Sequence, residues 1–210
     1  MAEVLTVTNI RKNLLKEIEL LKQKKEIIIT KDYKPVAVLS LIDIYKTQKR
    51  LPALLVLGAR KCTAQAALKS IRCINQATNN FSKVIFVYGE GTYRYNRSFN
   101  TADLRTVKNE KINLPIITSV KCGIAALAES DKYFILTFLS QPKKKEIYDL
   151  LCDKIKKSKK DILIIRENKK SSHPIAFSRK YIDAFIKTRK ELGIPYIIKK
   201  FKNDIEYVDA

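Results

Sequence analysis

Acidic side chains are in short supply in this chain: 21 Asp and Glu stand against 42 Lys and Arg in 210 residues, a formal net charge of +21. That shortfall argues against heat adaptation as the source of the lysines, because heat adaptation adds Glu together with Lys to build surface ion pairs. It points to a functional basic surface that attracts polyanions in a salt-dependent way, so nucleic acid is the first partner to consider. Cysteine is sparse and unclustered: Cys62, Cys73, Cys122 and Cys152 form no C-x-x-C pair, which speaks against a zinc site and for buried thiols. Histidine occurs once, at His173 before a proline, with no carboxylate or cysteine motif around it, and reads as structural. No apolar run approaches the roughly 20 residues that span a bilayer, and no apolar stretch precedes a small-residue cleavage site at the N-terminus. The expectation is a cytoplasmic protein with no membrane partner.

What is present is globular: 46% of residues are apolar and 30% charged. A polar, basic step at Lys46 to Arg50, followed by Leu51-Pro52, divides the chain into domains at 1–50 and 51–210. In the first, Thr8 is placed to cap a helix whose buried stripe is Ile10, Leu14, Ile18 and Leu21, with Arg11, Lys12 and Lys16 off that stripe. Two short apolar strands follow, Glu26 to Thr30 and Pro35 to Ser40, joined by the polar turn Lys31 to Lys34.

That order resembles the prevent-host-death (Phd/YefM) antitoxins: a Thr-capped helix with Arg-x-Asn-Leu, an Ile-Ile-Ile-Thr strand, a polar turn, then Pro-Val-Ala-Val-Leu. The resemblance implies a small α+β dimerisation domain whose first helix touches duplex DNA, with Arg11 as the contact and Thr8, Lys12 and Asn13 beside it. It also implies a homodimer formed through this domain, and a toxin as a further partner. The chain carries Thr8-Asn9-Ile10 where the family often has Ser-Glu-Ala, and Asp32-Tyr33 where the family has a turn glycine.

From Pro52 onwards continuous apolar runs alternate with helical periodicity. Ala53 to Gly58, Lys83 to Gly89, Leu114 to Ser119, Tyr133 to Leu139, Asp161 to Ile165 and Pro195 to Phe201 read as strands. Residues 64–78, 123–129, 143–157 and 179–192 read as helices. Strands apolar on both faces imply a sheet covered on both sides, a Rossmann-like α/β/α sandwich with a mainly parallel sheet. Ligands in such folds lie at the carboxyl ends of the strands.

The loop after the first of these strands, Leu57 to Lys69, resembles the nucleotide loop of MobA-like nucleotidyltransferases, whose pattern is Leu-Ala-Gly-Gly, a variable stretch, Arg-Met-Gly, two residues and Lys. The resemblance implies the nucleotide-diphospho-sugar transferase fold and, as nucleotide contacts, Gly58, Lys61 and Lys69. Ala59 and Arg60 stand for the paired glycines, and Ala64 for the motif arginine. The segment ending Ser140-Gln141-Pro142 resembles the family's Asp-x-Pro, with Ser140 at the magnesium-binding aspartate, and Ser172-His173-Pro174 resembles its Gly-His-Pro. A Cβ at the loop glycines obstructs the approach of phosphate to backbone N–H groups, and losing the metal carboxylate removes most of the charge neutralisation that transfer requires. These substitutions lead to an expectation of a retired enzyme without cofactor: a dimeric, antitoxin-type transcriptional regulator whose second domain is a nucleotide effector or interaction module. The alternative is an active or toxin-like nucleotidyltransferase using Mg²⁺ and NTP, its metal carboxylate moved to Glu90 or Asp103. The lysine runs at 143–145, 154–160 and 199–202 are candidate phosphate contacts, and the first opposes the dipole of the helix it begins.

Overall fold

The computed structural model describes residues 3–6, 26–32, 34–40, 51–58, 62–101, 103–111, 113–189 and 191–210. Two units emerge, Met1–Lys49 and Arg50–Ala210. In the first, β1 (Glu3–Thr6) runs parallel to β2 (Glu26–Lys31), and β2 pairs antiparallel with β3 (Lys34–Ser40). The tight β2–β3 turn places Asp32 at φ 50°, the left-handed region that Asp enters more readily than most residues. The DNA-contact candidates Thr8, Arg11, Lys12 and Asn13 lie outside the described residues.

The second unit is a seven-stranded sheet in the order β10-β8-β9-β7-β4-β5-β6. Its strands are β4 (Ala53–Leu57), β5 (Lys83–Tyr88), β6 (Leu104–Lys108), β7 (Tyr133–Phe138), β8 (Ile162–Glu167), β9 (Lys170–Ser178) and β10 (Ile205–Asp209). β9 is antiparallel to both its neighbours, and every other pairing is parallel. All five residues of β4 are buried, as a central strand covered on both faces requires. On one face lie α1 (Ala64–Gln76) and α3 (Lys145–Lys157), which bury Ile71, Ile74, Tyr148 and Leu151 against Leu54, Val56 and Phe86. On the other lie α2 (Ile117–Ile124), α4 (Ile182–Lys187) and α5 (Gly193–Lys200), which cover Leu55, Ile85 and Phe134. Among the described residues no helix is long and apolar enough to cross a membrane.

Two segments expected to be strands are helices. Residues 114–119 form the approach to α2 and its first turn; six of the eight residues of this helix are buried, Thr118 and Ser119 among them, so no solvent-facing polar stripe marks it as a helix. Gly123 permits its closeness to the sheet, since a Cβ there would come 2.1 Å from Leu55 Cδ1. Residues 195–201 fall largely in α5, where Pro195 occupies the first turn, the part of a helix that needs no backbone donor.

Candidate active site

The chain winds from β4 through β5 to β6 in one direction, then returns to place β7 on the opposite side of β4. The winding reverses between β4 and β7, and a crevice at the carboxyl ends of the strands opens at such a reversal. Here Leu139 N–H donates to Leu57 O at 3.0 Å, and Ser70 Oγ on α1 donates to Leu139 O at 2.8 Å, so the segment after β7 is fixed to β4 and to α1.

On the β4 side, Gly58 N–H donates to Val87 O at 2.8 Å, and a Cβ at Gly58 would lie 2.5 Å from Phe86 Cε2. The glycine is thus required by packing against the Phe86 ring. Thr63 caps α1, its Oγ1 accepting from Ala66 N–H at 3.2 Å, and Lys69 is exposed on the second turn of that helix. Lys61, like Ala59 and Arg60, lies outside the described residues. Cys62 is partly exposed with its thiol pKa raised by burial, whereas Cys152 is buried and its thiol is pushed up to about 12.

On the β7 side, Ser140 is exposed immediately past the strand. Beyond it Lys143 Nζ donates to Glu167 Oε2 at the end of β8 and to Ser172 Oγ in β9 at 2.8 Å, while its side chain is only 15% exposed. The Lys143 ammonium, with help from Ser172, holds the Glu167 carboxyl below its usual range. His173 meets Phe138 edge-on with ring centroids 4.1 Å apart, and its buried Nδ1 has no hydrogen-bond partner. Burial brings its pKa down to about 4; a backbone hydrogen bond at Leu136 opposes the shift and the Lys143 charge adds to it, so the ring is neutral near pH 7.

The carboxylates on the carboxyl rim are Glu90 after β5, Glu110 after β6, Glu167 ending β8 and Asp209 ending β10. Glu110 lies 3.7 Å from Lys108, Glu167 is bonded to Lys143, and Asp209 accepts from Arg166 at 2.7 and 2.9 Å. Glu90 is exposed and, among the described residues, has no ion-pair partner. Asp103, the other proposed metal carboxylate, is at the opposite rim: its carbonyl accepts from Val84 N–H at 2.9 Å beside the start of β5, and its side chain lies 3.8 Å from Arg105. Sequence separation alone could not tell which rim held it; the strand β6, which begins one residue later, decides that. Among the described residues no three His, Cys, Asp or Glu side chains gather as a metal cage. Magnesium bound to a triphosphate needs none, because phosphate and water oxygens fill most of its sites and one or two carboxylates suffice.

Residues 58–205 match the MobA-like NTP transferase domain family. Among solved structures, a homologue of Mycobacterium tuberculosis Rv0371c from Mycobacterium sp. strain JC1 has a TM-score of 0.61 at 13% identity, over 77% of this chain and 86% of that one. A 4-diphosphocytidyl-2C-methyl-D-erythritol synthase from Anaerococcus prevotii has a TM-score of 0.61 at 10% identity, over 77% and 90%. Rv0371c itself, from M. tuberculosis H37Rv, has been solved with manganese, with a TM-score of 0.57 at 15% identity over 76% and 88%. No curated protein matches in sequence. These likenesses establish the nucleotide-diphospho-sugar transferase-like fold. The family match overturns the reading as an antitoxin-type DNA regulator with a retired, cofactor-free second domain: the matched region covers most of the chain and is defined by NTP transfer. Ala59 and Arg60 at the loop glycines and Ser140 at the expected aspartate are therefore departures within the family rather than signs of a lost reaction class. The chain belongs to the MobA-like NTP transferase domain family.

Proposed function

We propose that the Arg50–Ala210 unit is a nucleotidyltransferase that takes a nucleoside triphosphate and a divalent cation at the β4–β7 crevice and passes the nucleotidyl group to an acceptor. The family match over residues 58–205, superposed on a sheet whose winding reverses at β4 and β7, carries this reading. An acceptor oxygen attacks the α-phosphorus, the bond to the β-phosphate breaks, and pyrophosphate leaves with the electron pair. The cation, when bound, offsets the charge that the triphosphate brings into the crevice. Glu90 is the carboxylate assigned to hold it. The Rv0371c complex with manganese supports the use of a divalent cation on this fold. Lys143, set by Glu167 and Ser172, fixes the β7–β9 flank of the crevice, and that flank is assigned to the acceptor.

Isothermal titration of ATP, GTP, CTP and UTP into the protein with Mg²⁺ tests the reading, together with pyrophosphate release on addition of a small-molecule cell extract. Binding of one or more nucleotides with extract-dependent release is expected. Failure of all four to bind at millimolar concentration would overturn it.

The family match begins at residue 58 and does not reach the Met1–Lys49 unit. For that unit we propose the finer Phd/YefM-like architecture and self-association through the three-stranded sheet. What supports it is the residue resemblance at 8–40 and a described strand surface that leaves Val36 55% exposed. Sedimentation velocity of the full chain should report a dimer; a monomer at high micromolar concentration removes the proposal.

A further inference from the structure

The side of the crevice away from β7 carries a feature that the reaction scheme leaves unused. β5 ends in Tyr88, half-buried against the α1 face of the core, and its ring is one of a row of aromatics. Phe86 lies 6.1 Å from it on the core side, and Tyr93 lies 4.9 Å from it with the ring planes 46° apart. Tyr93 is 54% exposed, so the rest of its ring meets solvent. Its backbone is held: the 3₁₀ segment Glu90–Ser98 is tied at its start by Gly89 N–H donating to Thr92 Oγ1 at 3.0 Å, and at its end by Asn75 Nδ2 donating to Ser98 O at 2.9 Å. An aromatic ring on a pinned segment, supported by a second ring and otherwise open, is the form of a base-stacking platform.

Its position selects the occupant. β5 is the immediate neighbour of β4, on the side opposite β7. A triphosphate seated at the loop after β4, with its cation held by Glu90 and the acceptor on the β7 flank, leaves the part of the 3₁₀ segment beyond Glu90 for the nucleoside. We propose that Tyr93 stacks the base of the bound nucleoside triphosphate, with Tyr88 supporting its ring; this rests on the nucleotidyltransferase reading. Stacking tolerates any base, so Tyr93 gives affinity for a nucleoside over bare phosphate, and choice among bases falls to other groups.

The chain contains no tryptophan, so Tyr93→Trp introduces a single indole reporter at an exposed site. Its emission is titrated with the four nucleoside triphosphates, with nucleosides and with tripolyphosphate, all with Mg²⁺, while calorimetry follows the same ligands on the wild type, Tyr93→Ala and Tyr93→Phe. Quenching by nucleotides and nucleosides but not by tripolyphosphate is expected. Nucleotide affinity should fall roughly tenfold or more in Tyr93→Ala and return in Tyr93→Phe, with tripolyphosphate affinity unchanged throughout. Nucleotide binding by the wild type without quenching, and with equal affinity in Tyr93→Ala, overturns the stacking role and leaves the nucleotidyltransferase reading intact. Absence of nucleotide binding by the wild type overturns both.

Discussion

Asp131 and Glu90 sit on opposite rims of one sheet in opposite circumstances. At the amino rim, Asp131 is 3.2 Å from Lys83 Nζ, and both side chains are buried, 3% and 8% exposed. Its two oxygens also accept from Ser82 Oγ at 3.2 Å and Ala128 N–H at 2.7 Å, and Arg179 closes the loop by donating to Ala128 O at 2.6 Å. Both carboxylate oxygens have a donor and the group is shut away from solvent. At the carboxyl rim Glu90 is exposed and carries its charge without an ion-pair partner among the described residues. Spending a charge on structure requires burying and saturating it, whereas keeping it for a ligand requires leaving it open. Lys143 and Glu167 fall between, bonded to each other yet part of the crevice flank.

Asp131→Ala strands the buried Lys83 ammonium and should cost about 3–5 kcal/mol in urea denaturation. A loss below about 1 kcal/mol would mean that the amino rim is solvated and the contrast unreal.

Next in size is Gly58→Ala, whose new Cβ meets the Phe86 ring; overpacking of this kind costs about 1–3 kcal/mol, read as a shift in the urea midpoint at unchanged slope. An unchanged midpoint would return the glycine to a phosphate-binding explanation.

His173 sharpens the contrast through pH. Its folded pKa lies near 4, below the ordinary 6.5, so as pH falls the unfolded chain takes up the proton first and stability declines through the interval between those values. Between pH 6.5 and 5.5 the loss should be about 1 kcal/mol, above the range where carboxylates titrate. His173→Gln should flatten that part of the curve. A wild-type profile flat over the same interval would place His173 in water.

The smallest effect on stability belongs to Glu90→Gln. A surface substitution away from structural contacts stays within about 0.5 kcal/mol. Loss of one carboxylate ligand should nevertheless weaken the Mg²⁺-dependent part of nucleotide affinity roughly tenfold, measured by calorimetry with and without the cation. A substantial stability loss with unaltered Mg²⁺ dependence would move Glu90 to the structural side of the comparison.

Legibility in the sequence followed burial. β4, β5, β7, α1 and α3 were visible because a central strand is apolar throughout and a helix resting on the sheet is apolar on one face. β6, at one edge, has no fully buried residue, and β10, at the other, buries only Val208 fully; neither shows a continuous run. β9 begins with the polar Lys170-Ser171-Ser172 before its buried half, so only its second part carries a strand signal. Residues 114–119 and 195–201 carry a strand signal although they fall largely in helices, because a short apolar run looks the same in a strand and in a buried helix. The loop after β4 and the segment around Ser140 resemble motifs, whereas Tyr88 and Tyr93 carry none and become conspicuous only through ring distance and exposure.

The amino-acid order alone determined the layered α/β architecture and the resemblance of residues 57–69 to a nucleotide loop, because both depend on local runs of side chains. Only the tertiary structure decided which carboxylates share a rim, that Asp103 falls on the far one, and that Lys143, Glu167 and Ser172 meet. Those facts depend on strand order and direction, which bring together residues up to 29 positions apart in the chain. Local sequence carries no record of that order, because each parallel strand is interchangeable with another in composition while its place in the sheet is fixed by how the intervening helices pack.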